Sequence, residues 1–139
     1  MAGLTNVYLD ARYASIRWEA EGQWVLTEWK GWATSPEFRM VQERTLGAIA
    51  ENHALLFLLD VRNLKVVLAG DAKWVRDSVV PRFALAGLRR IATVLPSNRL
   101  IRADLFDVTR TPASGELQRA DFRTLEEAKE WLSFAGTAD

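Results

Sequence analysis

The chain has no cysteine among its 139 residues, and this absence removes several classes of function at once. Without thiols there can be no disulfide, no thiolate nucleophile and no cysteine-based zinc site. Histidine is almost absent too, because His53 is the single imidazole, and no partner nucleophile stands at a recognisable spacing from it. His53 is therefore interpreted as a turn residue, with a general base as the alternative.

The glycines and serines also lack the patterns that mark common active sites. None of the eight glycines forms a Rossmann fingerprint or a Walker loop, and none of the serines lies in a Gly-x-Ser-x-Gly elbow. Asp104 and Asp107 share a predicted helical face, but two carboxylates without further oxygen ligands favour a solvated surface over a cation site. We therefore expect no enzymatic activity, no cofactor and no metal.

Neither an excess of charge nor a long apolar run is present. Eighteen basic side chains balance eighteen acidic ones, which argues against a nucleic-acid binder. The longest apolar run, Ala54–Leu59, is far shorter than the roughly 20 residues that span a bilayer. Since the first apolar residues are interrupted by polar ones, no targeting segment is visible. The expectation is one cytoplasmic domain over residues 1–139 that does not cross a membrane.

Hydrophobic patterning predicts a sheet with one deeply buried strand. Ala14, Ile16 and Trp18 alternate with polar residues, and a second run over Trp24–Trp29 follows a turn containing Gly22, which predicts an antiparallel hairpin. The unbroken apolar run Ala54–Leu59 predicts a central strand that is covered on both faces. Further strands are predicted at Val7–Ala11, at Arg90–Leu95 and, as an edge strand, at Leu117–Phe122.

Helix signals alternate with these strands. Thr34 and Glu37 form a capping box for a first helix that ends near Asn52, and Thr124 with Glu127 forms another for the last helix. Asp71 is predicted to cap a second helix. Pro81 should kink that helix and Gly87 end it, and a third helix is predicted from Ser97. The order predicts an α/β fold: a mixed β-sheet with an N-terminal antiparallel hairpin and about four helices.

These segments together resemble a known family. The pattern consists of Trp29-Lys30-Gly31 before the first helix, Leu58-Leu59-Asp60-Val61-Arg62 closing the apolar strand, Arg90-Ile91-Ala92-Thr93-Val94, and Trp131-Leu132 near the end, with Trp74, Pro81, Gly87, Phe122 and Glu127-Ala128 between them. It resembles the stand-alone bacterial SpoIIAA-like proteins of the STAS superfamily, whose fold is shared with anti-sigma-factor antagonists and sulfate-transporter tails. The resemblance implies a mixed sheet flanked by helices, in a Sec14-like variant.

One feature of that family is missing. The resemblance implies a phosphorylatable serine or threonine at the start of the helix after the central strand, but Val67 to Ala72 contains no hydroxyl. Asp71 lies at this place. Its carboxylate either caps the helix in the ordinary way or imitates a permanently phosphorylated state.

The remaining candidates for ligand or partner binding are aromatic or charged. Trp29 and Trp32 bracket a strand-to-helix junction and cannot easily both face inward, so one of them is expected to line a groove or meet a partner. Trp74 is interpreted as a residue of the hydrophobic core, with ligand or partner binding as the alternative. Asp60 and Arg62 follow the central strand and form either an ion pair or a ligand clamp. Arg99 and Arg102 lie one helical turn apart and either bind an anionic lipid head or acidic partner, or form a solvated basic face.

Two functions remain after these exclusions. The first is a noncatalytic STAS-like module that acts through a protein partner or as a homodimer. The alternative is a small carrier or sensor of apolar or anionic-lipid ligands, which the Sec14-like resemblance and the six tryptophans favour.

Overall fold

Six strands form one mixed sheet in a computed structural model that describes residues 5–96 and 117–137. The first three strands pair antiparallel, and the last four, from β3 to β6, run parallel. The predicted mixed sheet and N-terminal hairpin are therefore confirmed. In sheet order, which is also chain order, the strands are β1 Thr5–Asp10, β2 Ala14–Glu19, β3 Trp24–Trp29, β4 Leu56–Asp60, β5 Arg90–Val94 and β6 Gln118–Phe122.

The strand β4 lies in the interior of the sheet, between β3 and β5. Its side chains alternate between two apolar clusters: Phe57 packs on one face, and Leu56 and Leu58 pack on the other. Leu58 is completely inaccessible to solvent. The unbroken apolar run thus forms a strand covered on both sides, as predicted, although the strand begins two residues later than Ala54.

Helices cover both faces of the sheet. The helix α1 (Ser35–Asn52) and a continuous helical stretch made of α2 (Ala69–Trp74), a π turn (Val75–Val79) and α3 (Val80–Leu85) lie on one face. The helix α4 (Leu125–Thr137) packs on the other face through Ala128 and Leu132. Three of about four predicted helices are therefore described, and the one predicted from Ser97 lies outside the described residues.

The capping predictions are confirmed at two helix starts. The Thr34 hydroxyl accepts the Glu37 backbone N–H at 3.3 Å, and the Glu37 carboxylate accepts the Thr34 N–H at 2.8 Å. At α4 the Thr124 hydroxyl accepts the Glu127 N–H at 3.1 Å and donates to the Glu127 carboxylate at 3.2 Å, so the bond from Thr124 that caps the helix is present as predicted.

The end of α1 differs from the prediction by one residue. His53, with φ 50° and ψ 44°, adopts the left-handed conformation expected of Asn52. Asn52 remains helical because its side-chain amide donates to the Ala48 carbonyl at 2.8 Å and to the Tyr8 hydroxyl at 2.9 Å. His53 is therefore an exposed helix-end residue, as its interpretation as a turn histidine predicted.

The predicted N-cap of the second helix is wrong. The helix α2 begins at Ala69, and Leu68 occupies the capping position without a side-chain hydrogen bond. Asp71 lies inside the first turn and is only 3% exposed, because its carboxylate has tertiary partners.

Near the kink predicted at Pro81, the helical stretch contains a π turn, Val75–Val79, which ends two residues before the proline. Proline supplies no N–H and its ring crowds the carbonyl four residues earlier, and a wider turn relieves such crowding. The stop at Gly87 is confirmed, since its φ of +104° is a backbone conformation that glycine tolerates best.

Candidate binding cavity

One face of the parallel strands carries a row of side chains that the register sets side by side. Phe57, Ile91 and Arg119 are paired across β4, β5 and β6, and two residues further on Leu59, Thr93 and Asp121 are paired in the same way. Because alternate residues of a strand share a face, both rows lie under α2 and α3. The floor of this region is therefore apolar at β4 and charged at β6.

A cavity of about 850 Å³ lies between this floor and the helices. Such a volume is within the range of small-molecule sites, roughly 300–1,000 Å³. Aromatic and aliphatic side chains supply most of the wall, and the segment between β4 and α2 closes one side with Val61, Leu64 and Val67. The remaining apolar lining residues include Trp29, Phe38, Phe57, Leu59, Val75, Val80, Phe83 and Ile91.

The charged residues that line the described part of the cavity are mainly basic. Lys73, Arg76 and Arg119 stand against one carboxylate, Asp121. Arg119 is partly buried, and this burial lowers the pKa of its guanidinium, while the charge of Asp121 acts in the opposite direction. Arg76 also pairs with Asp77 at 3.0 Å, outside the cavity lining. The site thus suits an apolar body that carries an anionic group.

Two ion pairs hold the helices that roof the cavity. The Asp71 carboxylate accepts hydrogen bonds from the Ser35 hydroxyl at 2.8 Å and from Arg39 Nε at 2.7 Å. The Arg39 guanidinium also lies 4.8 Å from the ring centroid of Trp74. Trp74 is therefore partly buried under an arginine, and Asp71 joins α1 to α2 instead of facing solvent.

The second ion pair lies further along the same helices. Arg82 on α3 forms two hydrogen bonds to the Glu43 carboxylate on α1, at 3.0 and 2.7 Å. These bonds hold the pKa of Glu43 below its ordinary value. The two contacts tie α1 to α2 and α3 at separate points and fix the roof over the sheet.

The two tryptophans at the end of β3 face opposite environments, as the sequence predicted. Trp29 is 1% exposed, stacks on Phe38 with ring centroids 5.3 Å apart, and lines the cavity. Trp32 is 56% exposed. Trp29 is thus a wall of the candidate site, and Trp32 is a surface residue.

Asp60 and Arg62 form the ion pair that was one of their two predicted roles. Arg62 donates from Nε to Asp60 Oδ1 at 3.0 Å and from a terminal nitrogen to Oδ2 at 2.8 Å. The carboxylate is 1% exposed, and it also accepts the Arg62 backbone N–H at 3.1 Å. Asp60 shares the α4 face with Leu56 and Leu58, so the pair anchors a loop on the side of the sheet opposite to the cavity.

Several sequence candidates cannot be placed. Arg99, Arg102, Asp104 and Asp107 lie outside the described residues. Within residues 5–96 and 117–137, no group of three or more potential metal ligands is found.

The sequence reasoning missed most of the cavity wall. Phe57 and Ile91 were assigned to strands without a face, and Arg119 and Asp121 were not considered. A signal for the last two existed, because they occupy alternate positions of a short strand whose apolar residue Phe122 packs on the opposite face of the sheet.

Comparison with known proteins supports the fold. No family model matches the chain, and no curated protein matches it. A solved structure that it resembles is an uncharacterised DUF3478 protein with a SpoIIAA-like fold from Shewanella loihica, with a TM-score of 0.54 and 14% identity over 93% of this chain and 92% of the other. This likeness extends over nearly the whole chain and confirms the resemblance at the level of the fold.

Proposed function

We propose that this chain, a SpoIIAA-like fold, is a noncatalytic carrier or sensor that holds a small amphipathic molecule in the cavity under α2 and α3. The observation that supports the proposal is the combination of size and lining: about 850 Å³, walled by aromatic and aliphatic side chains, with three basic residues and one acidic residue among the described lining. An acyl or ring system with one anionic group fits this chemistry.

A protein-interaction module, the first function favoured by the sequence, receives less support from the site. Its distinctive candidate was a carboxylate imitating a phosphorylated residue at Asp71. That carboxylate is 3% exposed and is held by Ser35 and Arg39, so a partner would have little access to it. We therefore place ligand binding first and regulation through a protein second, both in the cytoplasm.

Two dyes of similar shape test the proposal. Anilinonaphthalene sulfonate is an apolar anion, and N-phenyl-1-naphthylamine is its neutral counterpart. We expect both to bind with saturable fluorescence enhancement, and dodecanoate to displace them. Native mass spectrometry of freshly purified protein should also show a bound mass that organic extraction removes.

Two variants probe the cavity itself. Ala72→Trp places a large ring in the lining and should weaken both dyes at least tenfold, whereas Ala50→Trp, on the exposed side of α1, should leave both unchanged. Arg119→Met keeps a long, flexible side chain in the cavity lining but removes its positive charge. It should weaken the anionic dye by about tenfold or more, because a hydrogen bond to a charged group contributes about 1.5–3 kcal/mol, and leave the neutral dye almost unaffected.

Melting curves must show that each variant is folded, because partly unfolded proteins also bind such dyes. Equal binding by folded Ala72→Trp and by the parent would contradict a ligand in this cavity. Equal loss of both dyes in Arg119→Met would contradict the anionic group.

A further inference from the structure

The apolar wall of the cavity is almost closed to solvent. Phe57, Phe83 and Ile91 line the cavity, yet they are only 2%, 2% and 5% exposed. A ligand therefore cannot reach these side chains while every part of the wall keeps its place. Some element of the wall has to move, and the element with the fewest buried apolar contacts moves at the lowest cost in free energy.

The helix α2 is held over the cavity in a different way from its neighbours. The helix α3 buries Val80 and Phe83, and the π turn buries Val75 and Val79. Among the six residues of α2, all of which the structure describes, only Asp71 is buried. A carboxylate thus holds α2 in place where apolar side chains hold the rest of the roof.

Both ends of α2 allow it to move as a unit. Residues 61–68 precede it without a helix or strand, and Leu68 supplies no side-chain cap. The π turn Val75–Val79 follows it, and π turns are among the few places at which a helix bends sharply. Since α2 contributes only two alanines and Lys73 to the described lining, its displacement uncovers the cavity while the larger side chains of α3 stay in place.

The bonds of Asp71 separate a closed position of α2 from an open one. In the closed position its carboxylate accepts hydrogen bonds from the Ser35 hydroxyl at 2.8 Å and from Arg39 Nε at 2.7 Å, both on α1. A carboxylate that has left these partners without reaching water is costly, so intermediate positions are disfavoured. The Arg39 side chain is 44% exposed, so the pair lies close to the surface and water can replace either partner.

We propose that α2 is a lid over the cavity, and that the bonds from Ser35 and Arg39 to Asp71 hold this lid closed. The lid bends at the π turn and opens when Asp71 exchanges both partners for water. This gating rests on the proposed carrier function, because it regulates access to the same cavity. A ligand enters and leaves through the same opening, so the frequency of opening sets both rates and leaves the dissociation constant unchanged.

Stopped-flow fluorescence with the two dyes measures these rates. Asp71→Asn keeps the shape of the side chain but removes its charge, and hydrogen bonds to a neutral amide are weaker than those to a carboxylate. The association and dissociation rates of both dyes should therefore rise by about tenfold, and their ratio, the dissociation constant, should stay almost the same. If this variant does not fold, Ser35→Ala removes one of the two bonds and should raise both rates by a smaller factor.

The second ion pair of the roof provides a matched comparison. Glu43→Lys places a like charge beside Arg82 and removes the tie between α1 and α3. The helix α3 keeps its buried Val80 and Phe83, so both dye rates should stay close to those of the parent.

Hydrogen exchange read by mass spectrometry tests the lid without a ligand. A six-residue helix that leaves its neighbours does not keep its backbone hydrogen bonds in water. The amides of residues 72–74 should therefore exchange about tenfold faster in Asp71→Asn than in the parent, while those of α3 should be unchanged.

The outcomes separate the lid from the carrier function. If the parent protein binds neither dye, the carrier function is contradicted, and hydrogen exchange alone decides whether Asp71 holds α2 closed. The lid is overturned if folded Asp71→Asn keeps the parent's dye rates or the parent's exchange in α2, or if Glu43→Lys raises both rates equally. A rise in the dissociation rate alone also overturns it, because Asp71 then acts on affinity instead of access.

Discussion

Shortening one leucine in β4 tests the placement of that strand at the centre of the molecule. Leu58 is completely buried among Leu56, Ala92 and Leu132, so Leu58→Ala leaves a cavity that its neighbours cannot fill. Removing a buried leucine in this way lowers the free energy of unfolding by about 2–5 kcal/mol.

The expected change in melting temperature follows from the length of the chain. An unfolding entropy of about 2.1 cal/mol/K per residue amounts to about 0.29 kcal/mol/K for this protein, so Leu58→Ala should lower the midpoint by about 7–17 °C. Leu55→Ala removes the same atoms three residues earlier, from a side chain that is 49% exposed. It should cost under about 1 kcal/mol, or about 3 °C.

Differential scanning calorimetry of the parent and both variants is the assay. If the two variants melt at the same temperature, Leu58 is no more buried than Leu55, and the central position of β4 is refuted.

Two further changes probe the backbone and the charges. Gly87→Ala should lower the free energy of unfolding by about 1 kcal/mol, because alanine adopts a positive φ only with strain. Gly47→Ala, inside α1, should raise the free energy of unfolding by about 0.5–1 kcal/mol, because alanine favours the helix more than glycine does. The added methyl group meets open space at both positions, so a change of the same sign in both variants would contradict the backbone explanation. Glu43→Gln should make the free energy of unfolding depend less on pH in the acid range. Arg82 lowers the pKa of Glu43 in the folded state below its ordinary value of 4.5. The ion pair therefore stabilises the fold above pH 4.5, and this stabilisation is lost as the pH falls through the lowered pKa. Since the pair is partly exposed, denaturant titrations should show a free energy of unfolding only about 0.5 kcal/mol lower for Glu43→Gln than for the parent at pH 7, and no difference at low pH. A difference in the free energy of unfolding that stays constant down to about pH 3 would contradict a contribution from the Glu43–Arg82 pair.

The sequence predicted those parts of the fold that depend on neighbouring residues. The capping box at Thr34 and Glu37 needs only residues three apart, and the apolar run that becomes β4 can be recognised without its neighbours. Asp71 shows where local reasoning stops. Its partners Ser35 and Arg39 precede it by 36 and 32 residues, and their bonds replace the capping role that its position suggested.

The cavity was beyond prediction for a related reason. Its floor exists because Phe57, Ile91 and Arg119 are brought side by side by the parallel register of three strands. Periodicity assigns each residue to one face of its own strand, but it does not say which strands are adjacent. The exposure of Trp32 and the burial of Trp29 were predictable only as alternatives, since either could have turned inward.

The sequential strand order determines how the sheet can grow during synthesis. Each of the five strands after β1 pairs with its predecessor in the chain, so a strand leaving the ribosome meets an edge that is already built, and none of these strands has to insert between two earlier ones. The face of the sheet that packs against α4 is different. Its residues Trp24, Leu26 and Leu58 stay uncovered until α4, which carries Ala128 and Leu132, has been synthesised. The apolar surface of this face is therefore most exposed to aggregation in the interval before α4 emerges, and chaperones have most to protect at that time.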